Sequence, residues 1–122
     1  MHKLARLKKR KEFLSVSRTN IKWVTPAFIL QLRPWDKNEE YGGIDLRFGI
    51  TASKKTGNAV RRNRIRRRLR ALAQEILPIY SMPRYDFVLI ARYSAWDREY
   101  TDLKSDLQKA LKNLKICADA NC

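Results

Sequence analysis

Apolar and polar positions along the chain follow two different periods. From Leu46 to Ser53 they alternate strictly: Leu46, Phe48, Ile50 and Ala52 fall on one side, Arg47, Gly49, Thr51 and Ser53 on the other. That pattern predicts a strand that turns the two sets to opposite sides. Residues 21–33 are rich in Ile, Val, Trp, Phe and Leu, and Pro26 divides them into a short edge piece and a longer strand. Tyr85 to Arg92 is nearly continuous in apolar residues, which suits a strand in a covered sheet position. The polar stretch from Trp35 to Asp45 contains Gly42-Gly43 and reads as a hairpin connection.

Three other segments have helical spacing. Residues 5–17 carry Leu7, Phe13, Leu14 and Val16 between lysines and arginines. A long helix opens at Gly57-Asn58, with Asn58 as N-cap, and runs to about Leu77, where Pro78 is expected to end it. Ile65, Leu69, Leu72 and Ile76 form its apolar stripe; Asn63, Arg66, Arg67 and Arg70 lie opposite, flanked by Arg62 and Arg64. A last helix spans about Glu99 to Leu114, with Leu103, Leu107, Ala110, Leu111 and Leu114 on its core face. The predicted fold is α+β, one domain over residues 1–122, ordered over about 5–114 with mobile termini. Its order is α-β-β-β-α-β-α, an approximately four-stranded sheet with the helices packed on one face.

Composition narrows the class. With 122 residues, 44% of them hydrophobic, the chain has enough material for one buried core. The run Phe87-Val88-Leu89-Ile90-Ala91 is far below the ~20 residues that span a bilayer. The basic start leads into no apolar stretch, so no secretory leader and a cytoplasmic location are expected. Cys117 and Cys122 have no metal-ligand spacing and are read as reduced thiols.

The net charge of +15 is concentrated. Residues 1–11 hold Lys3, Arg6, Lys8, Lys9, Arg10 and Lys11; residues 54–70 hold Lys54, Lys55, Arg61, Arg62, Arg64, Arg66, Arg67, Arg68 and Arg70; neither segment contains an acid. Elsewhere basic and acidic residues balance. Cations at a helix N-terminus oppose the macrodipole and repel one another at i,i+3 and i,i+4. An anionic ligand would recover that loss, and arginine's planar fork grips phosphate at two points. A run of one sign with no interspersed Glu points to RNA or DNA. A solvated charged face is the bland alternative. A membrane surface is disfavoured because no basic helix pairs its charge with an exposed aromatic face.

Gly49-Ile50-Thr51-Ala52-Ser53-Lys54-Lys55, then Gly57-Asn58-Ala59-Val60, then Arg62-Asn63-Arg64, closely resembles the signature of the bacterial ribonuclease P protein component. Leu7-Lys8-Lys9-Arg10-Lys11-Glu12-Phe13 is similar to that family's opening helix and Asp86-Phe87-Val88-Leu89-Ile90-Ala91-Arg92 to its last strand, so the resemblance covers about residues 5–114. It implies a subunit that binds a catalytic RNA, which removes the 5′ leader of precursor tRNA by magnesium-dependent hydrolysis; the magnesium is held mainly by RNA. The implied partners are the ribonuclease P RNA subunit and precursor tRNA, with no membrane and no obligate protein partner. Lys54, Lys55, Arg62, Asn63, Arg64, Arg66, Arg67 and Arg70 are the implied contacts to the catalytic RNA. Lys9, Phe13, Gln31, Arg47 and Thr51 are the implied leader cleft. Phe13 also admits a second reading, a core contact between helix and sheet. The chain departs from the family pattern at Ser17, where a second aromatic is common, and at Gln31, where Tyr is common.

Two other functions remain to be weighed. A plain RNA-binding or ribosomal protein would carry the same charge, and only the whole-chain resemblance separates it. A self-sufficient protein nuclease is disfavoured: the lone histidine is His2, no nucleophile sits beside a base, and the acids lack metal-ligand spacing. No catalytic and no metal-binding side chain is therefore assigned.

Overall fold

In a computed structural model, which describes residues 1–118, the chain forms a five-stranded sheet in the spatial order β1-β4-β5-β3-β2. The strands are β1 (Leu4–Arg6), β2 (Lys22–Val24), β3 (Phe28–Pro34), β4 (Leu46–Thr51) and β5 (Tyr85–Ala91). The helices are α1 (Arg10–Ser17), α2 (Ala59–Tyr80) and α3 (Tyr100–Asn113), with short 3₁₀ turns at Lys54–Thr56 and Tyr93–Trp96. The α+β class is as expected. Among the described residues no helix is long and apolar enough to cross a membrane.

The fifth strand comes from the segment expected to begin the first helix. Leu4–Arg6 pairs in parallel with β4, Leu4 opposite Leu46 and Arg6 opposite Phe48. Helical spacing there is overridden by a strand partner distant in the chain. Helix α1 then starts later, where Glu12 Oε1 accepts the backbone N–H groups of Lys8 (2.9 Å) and Lys9 (2.8 Å), satisfying donors a helix start leaves open.

Trp35–Asp45 is not a hairpin connection. It crosses from β3 to β4 over the end of β5, which lies between them, antiparallel to β3 and parallel to β4. Parallel neighbours need a long crossover, and α2 supplies it. Pro26 does separate the edge strand β2 from β3. Pro78 does not end α2, which continues to Tyr80. In the last turn a proline forfeits only one helical hydrogen bond, and its carbonyl accepts the His2 N–H at 2.8 Å.

The helices do not share one face. Phe28, Leu30 and Leu32 of β3, Leu46 and Phe48 of β4, and Phe87, Leu89 and Ala91 of β5 join Ile65, Leu69, Leu72 and Ile76 of α2 and Leu103, Leu107 and Leu111 of α3 in the main core. Helix α1 lies on the opposite face, in a smaller cluster of Leu7, Val16 and Val88 with Phe13 and Ile90 packed against it. Alternating β-strands cannot bury both sides under α2 and α3, so the second face needs α1. Cys117 is not a free thiol, which departs from the expected reduced state; its companion Cys122 lies outside the described residues.

Gly49 marks where α1 meets the sheet: a methyl group there would overlap the Phe13 ring. Gly49→Ala should therefore destabilise the protein by about 1–3 kcal/mol in urea unfolding. The penalty should shrink in a Phe13→Ala background, and equal penalties in both backgrounds would refute this packing.

Candidate nucleic-acid interface

Two surfaces carry the residues singled out in the sequence. The first is α2. Asn58 caps it as expected, its Oδ1 accepting the Arg61 N–H at 2.9 Å. With Ile65, Leu69, Leu72 and Ile76 turned into the core, about 100° per residue places the arginines in three rows. Asn63, Arg67 and Arg70 form the outermost row and, with Val60 and Arg66, line an open concavity of about 480 Å³. Arg66 leans toward β4 and donates to the Ala52 carbonyl at 3.2 Å. Arg61, Arg64 and Arg68 lean toward the 3₁₀ turn Tyr93–Trp96.

Among the described residues none of these arginines, nor Lys54 or Lys55, forms an ion pair with a carboxylate. Their partners are of other kinds. Arg64 Nε donates to the Trp96 carbonyl at 3.3 Å. Arg68 donates to the Ala95 carbonyl at 2.7 Å and to the Arg98 carbonyl, so it ties α2 to the 3₁₀ turn. Carbonyls and rings orient a guanidinium without cancelling its charge. Val60, 74% exposed, also belongs to this surface and was not expected there from the sequence, while Arg61 of the basic run places its guanidinium over the Tyr93 and Trp96 rings. Helical spacing from the core stripe could have placed Val60; the aromatic neighbours of Arg61 needed the fold.

The second surface is the α1 side of the sheet. The strand registers divide it into rows. One row is Arg47–Asp86–Arg33, the next Gly49–Val88–Gln31–Lys22, and the last Thr51–Ile90–Ile29–Val24. The first row is an ion-pair network. Asp86, fully buried, accepts from Arg47 Nε (2.8 Å), Arg47 Nη2 (2.7 Å), Arg33 Nη2 (2.9 Å) and Trp35 Nε1 (2.8 Å). Arg47 Nη1 also donates to Glu12 Oε2 at 2.6 Å, joining α1 to β4. Arg33 forks onto both oxygens of Glu39 at 2.6 and 2.7 Å, and the Tyr41 hydroxyl donates to Glu39 Oε2 at 2.5 Å.

This network revises the expected leader cleft. Arg47 is only 8% exposed and committed to Asp86 and Glu12, so it is a lock in the cleft floor and not a free cation. With Lys9 it borders a polar hollow of about 510 Å³ that also contains Glu12, Arg33, Glu39 and Asp86. Phe13, Gln31 and Thr51 lie outside that hollow. Phe13 is half-buried on Gly49, as its core reading anticipated, while the exposed Thr51 ends the open row. Lys22, Val24, Ile29 and Ile90 extend this open part of the face and were not foreseen; strand alternation could have assigned their sides, but not which strands lie adjacent.

Three acids that the sequence leaves far apart, Glu12, Glu39 and Asp86, converge through α1, the crossover loop and β5. Each is neutralised by a guanidinium, and among the described residues no group of three His, Cys, Asp or Glu is placed to hold a metal ion. This donor set does not fit a resident magnesium. The Arg33 fork holds the Glu39 carboxyl well below the usual carboxylate range, against the opposing effect of its burial. Burial raises Glu12, but the Lys9 and Lys8 N–H groups and Arg47 outweigh it and hold its carboxyl below 4.5.

A family profile described as Ribonuclease P matches residues 1–115. The ribonuclease P protein component of Paramagnetospirillum magneticum is 42% identical over 112 residues, covering 92% of this chain and 84% of that protein. That of Ruegeria pomeroyi is 41% identical, covering 88% and 84%. The solved RNase P protein of Staphylococcus aureus superposes with a TM-score of 0.71 at 29% identity, covering 93% of this chain and 97% of that one. The Thermotoga maritima RNase P protein, 24% identical with a TM-score of 0.67, shares the fold.

Because Glu12 and Glu39 titrate below their unfolded value of 4.5, the stability they contribute is whole above about pH 5 and is lost as pH falls through the folded values. Acid unfolding monitored by circular dichroism should show this loss. Glu39→Gln should flatten the dependence below pH 4.5, and an unaltered acid limb would show that the network is not coupled to folding.

Proposed function

Since the chain belongs to the ribonuclease P protein family, a subunit of the ribonucleoprotein endoribonuclease that processes tRNA, we propose that it supplies position and charge while the RNA subunit carries the chemistry. The observation that supports this reading is the row of arginines on α2, oriented by carbonyls and rings but paired with no carboxylate among the described residues. Arginine forks meet phosphate oxygens in two places, and each neutralised phosphate releases counterions, which favours assembly. Asn63, Arg66, Arg67 and Arg70 form the centre of this interface, with Lys54, Lys55, Arg62 and Arg64 at its margins.

The single-stranded leader of precursor tRNA lies on the open rows of the α1 face, beside Phe13, Gln31 and Thr51 and between the exposed cations Lys9 and Lys22. The half-apolar strip of Ile29, Ile90 and Val24 suits bases, which stack or pack without regard to sequence. Arg47 acts indirectly, by seating α1 through Glu12. The magnesium ions of the hydrolysis sit on RNA, since the carboxylates that converge on the protein are already neutralised. The assembly operates in the cytoplasm and requires no second protein. The protein lowers repulsion between two RNAs, so less magnesium is needed for precursor tRNA to bind and be cut.

Two measurements test the two surfaces separately. Arg67→Ala with Arg70→Ala should flatten the dependence of log affinity for ribonuclease P RNA on log salt by about 1.5, since each phosphate left unneutralised removes roughly 0.7–0.9. An unchanged slope would remove this helix from the interface. Gln31→Tyr should tighten precursor tRNA binding by the reconstituted enzyme about fivefold or more, a base-stacking increment, while mature tRNA binding stays the same. Equal effects on both RNAs would contradict a leader on this face.

A further inference from the structure

Beyond the arginine row, α2 has a second flank with a different chemistry. The 3₁₀ turn Tyr93–Trp96 stands beside it and presents Tyr93, which is 64% exposed. A tyrosine so exposed contributes little to a core, yet it is not loosely held. Arg61 places its guanidinium 4.2 Å from the Tyr93 ring centroid and 4.6 Å from that of Trp96, and Arg64 lies 5.1 Å from Trp96. Stacking a guanidinium over a ring fixes both planes. Arg61 in turn rests on Gly57, at φ 134°, where a Cβ would strike its side chain. Its Nε is buried with no acceptor among the described residues.

The turn that carries Tyr93 is anchored on both sides. Ser94 Oγ donates to the Pro26 carbonyl at 2.5 Å and Arg92 Nη1 to the Thr25 carbonyl at 2.9 Å, tying the turn to the β2–β3 connection. Arg68 ties it to α2 through the Ala95 carbonyl. Arg98, just beyond, forks onto Asp106 of α3 at 2.7 and 3.1 Å. A ring presented from a turn pinned to three elements loses little entropy on binding.

We propose that Tyr93, with Arg61 stacked on it, is a platform for an unpaired base of the RNA that docks on α2. The inference rests on the reading of α2 as the RNA-binding helix. Arg61 occupies one part of the ring and keeps its charge for the neighbouring phosphate; the solvent-facing part of Tyr93 takes the base. An exposed π-face among unneutralised cations is the combination single-stranded nucleic acid requires, and base–aromatic stacking tolerates any base. The platform sits on the turn that packs against α2, whereas the proposed leader rows lie on the sheet face that α1 covers. A bulged or loop nucleotide of the RNA subunit fits it, since bases inside a duplex are not available to stack.

The test measures affinity of the full chain for the ribonuclease P RNA subunit across a salt series. Tyr93→Ala should weaken binding about fivefold to a hundredfold with the salt slope unchanged, because stacking displaces no counterion. Tyr93→Leu, which keeps an apolar cover over Arg61 without a π-face, should lose as much, while Tyr93→Phe and Tyr93→Trp should bind like the wild type. Unaltered affinity in Tyr93→Ala and Tyr93→Leu overturns the proposal. So does a loss that appears only as a flatter slope, which would make Tyr93 a mere support for Arg61. If the Arg67/Arg70 double variant keeps the wild-type slope, the reading of α2 fails instead, and the two failures are thereby told apart.

Discussion

The architecture depends on a carboxylate that cannot be left alone. Asp86 is buried at the centre of the sheet, on the face that α1 covers, and an isolated charge there would carry a large desolvation cost. Four donors from β3, β4 and the crossover loop converge on it at 2.7–2.9 Å. Arg47 passes the constraint to Glu12, which also accepts the Lys8 and Lys9 N–H groups just before α1. One network thus sets the relative placement of three central strands, the loop and the first helix. Breaking any partner strands a charge, so the assembly specifies geometry even where its net stabilisation is small.

That network also sorts the charges. The converging acids are consumed inside the α1 face, on Arg33 and Arg47. Helix α2, on the other side of the sheet, retains its arginines without a carboxylate partner among the described residues. Their mutual repulsion, and their opposition to the helix dipole, cost stability. The buried stripe Ile65, Leu69, Leu72, Ala73, Ile76 and Leu77 holds the helix in place regardless. Backbone carbonyls at Ala52, Ala95 and Trp96 orient several guanidinium groups without neutralising them. The result is a cationic surface whose charge no carboxylate compensates among the described residues.

Under the proposed function the two faces divide the labour of RNA recognition. The α2 side is dense in charge and suits a structured RNA whose phosphates are closely spaced. The α1 side mixes a few cations with half-buried apolar residues, which suits a single strand that offers bases as well as phosphates. Gly49 makes that arrangement possible: only a residue without a side chain lets Phe13 settle onto the sheet between the ionic row and the open row.

Features that depend on neighbours along the chain are legible in the sequence alone. The alternation in Leu46–Ser53, the stripe from Ile65 to Ile76, the Asn58 cap and the focused positive charge each follow from local spacing, and each recurs in the structure. Features that depend on partners distant in sequence were decided by the fold. Leu4–Arg6 is a strand because β4 is there to pair with it, and β5 separates β3 from β4 because α2 carries the chain back across the sheet. Arg47 reads as a free cation in its strand and is a buried lock in the fold, because Asp86 lies 39 residues away in the chain and 2.7 Å away in space. Strand pairing and ion pairing are satisfied between segments, and no local pattern records which segments will meet.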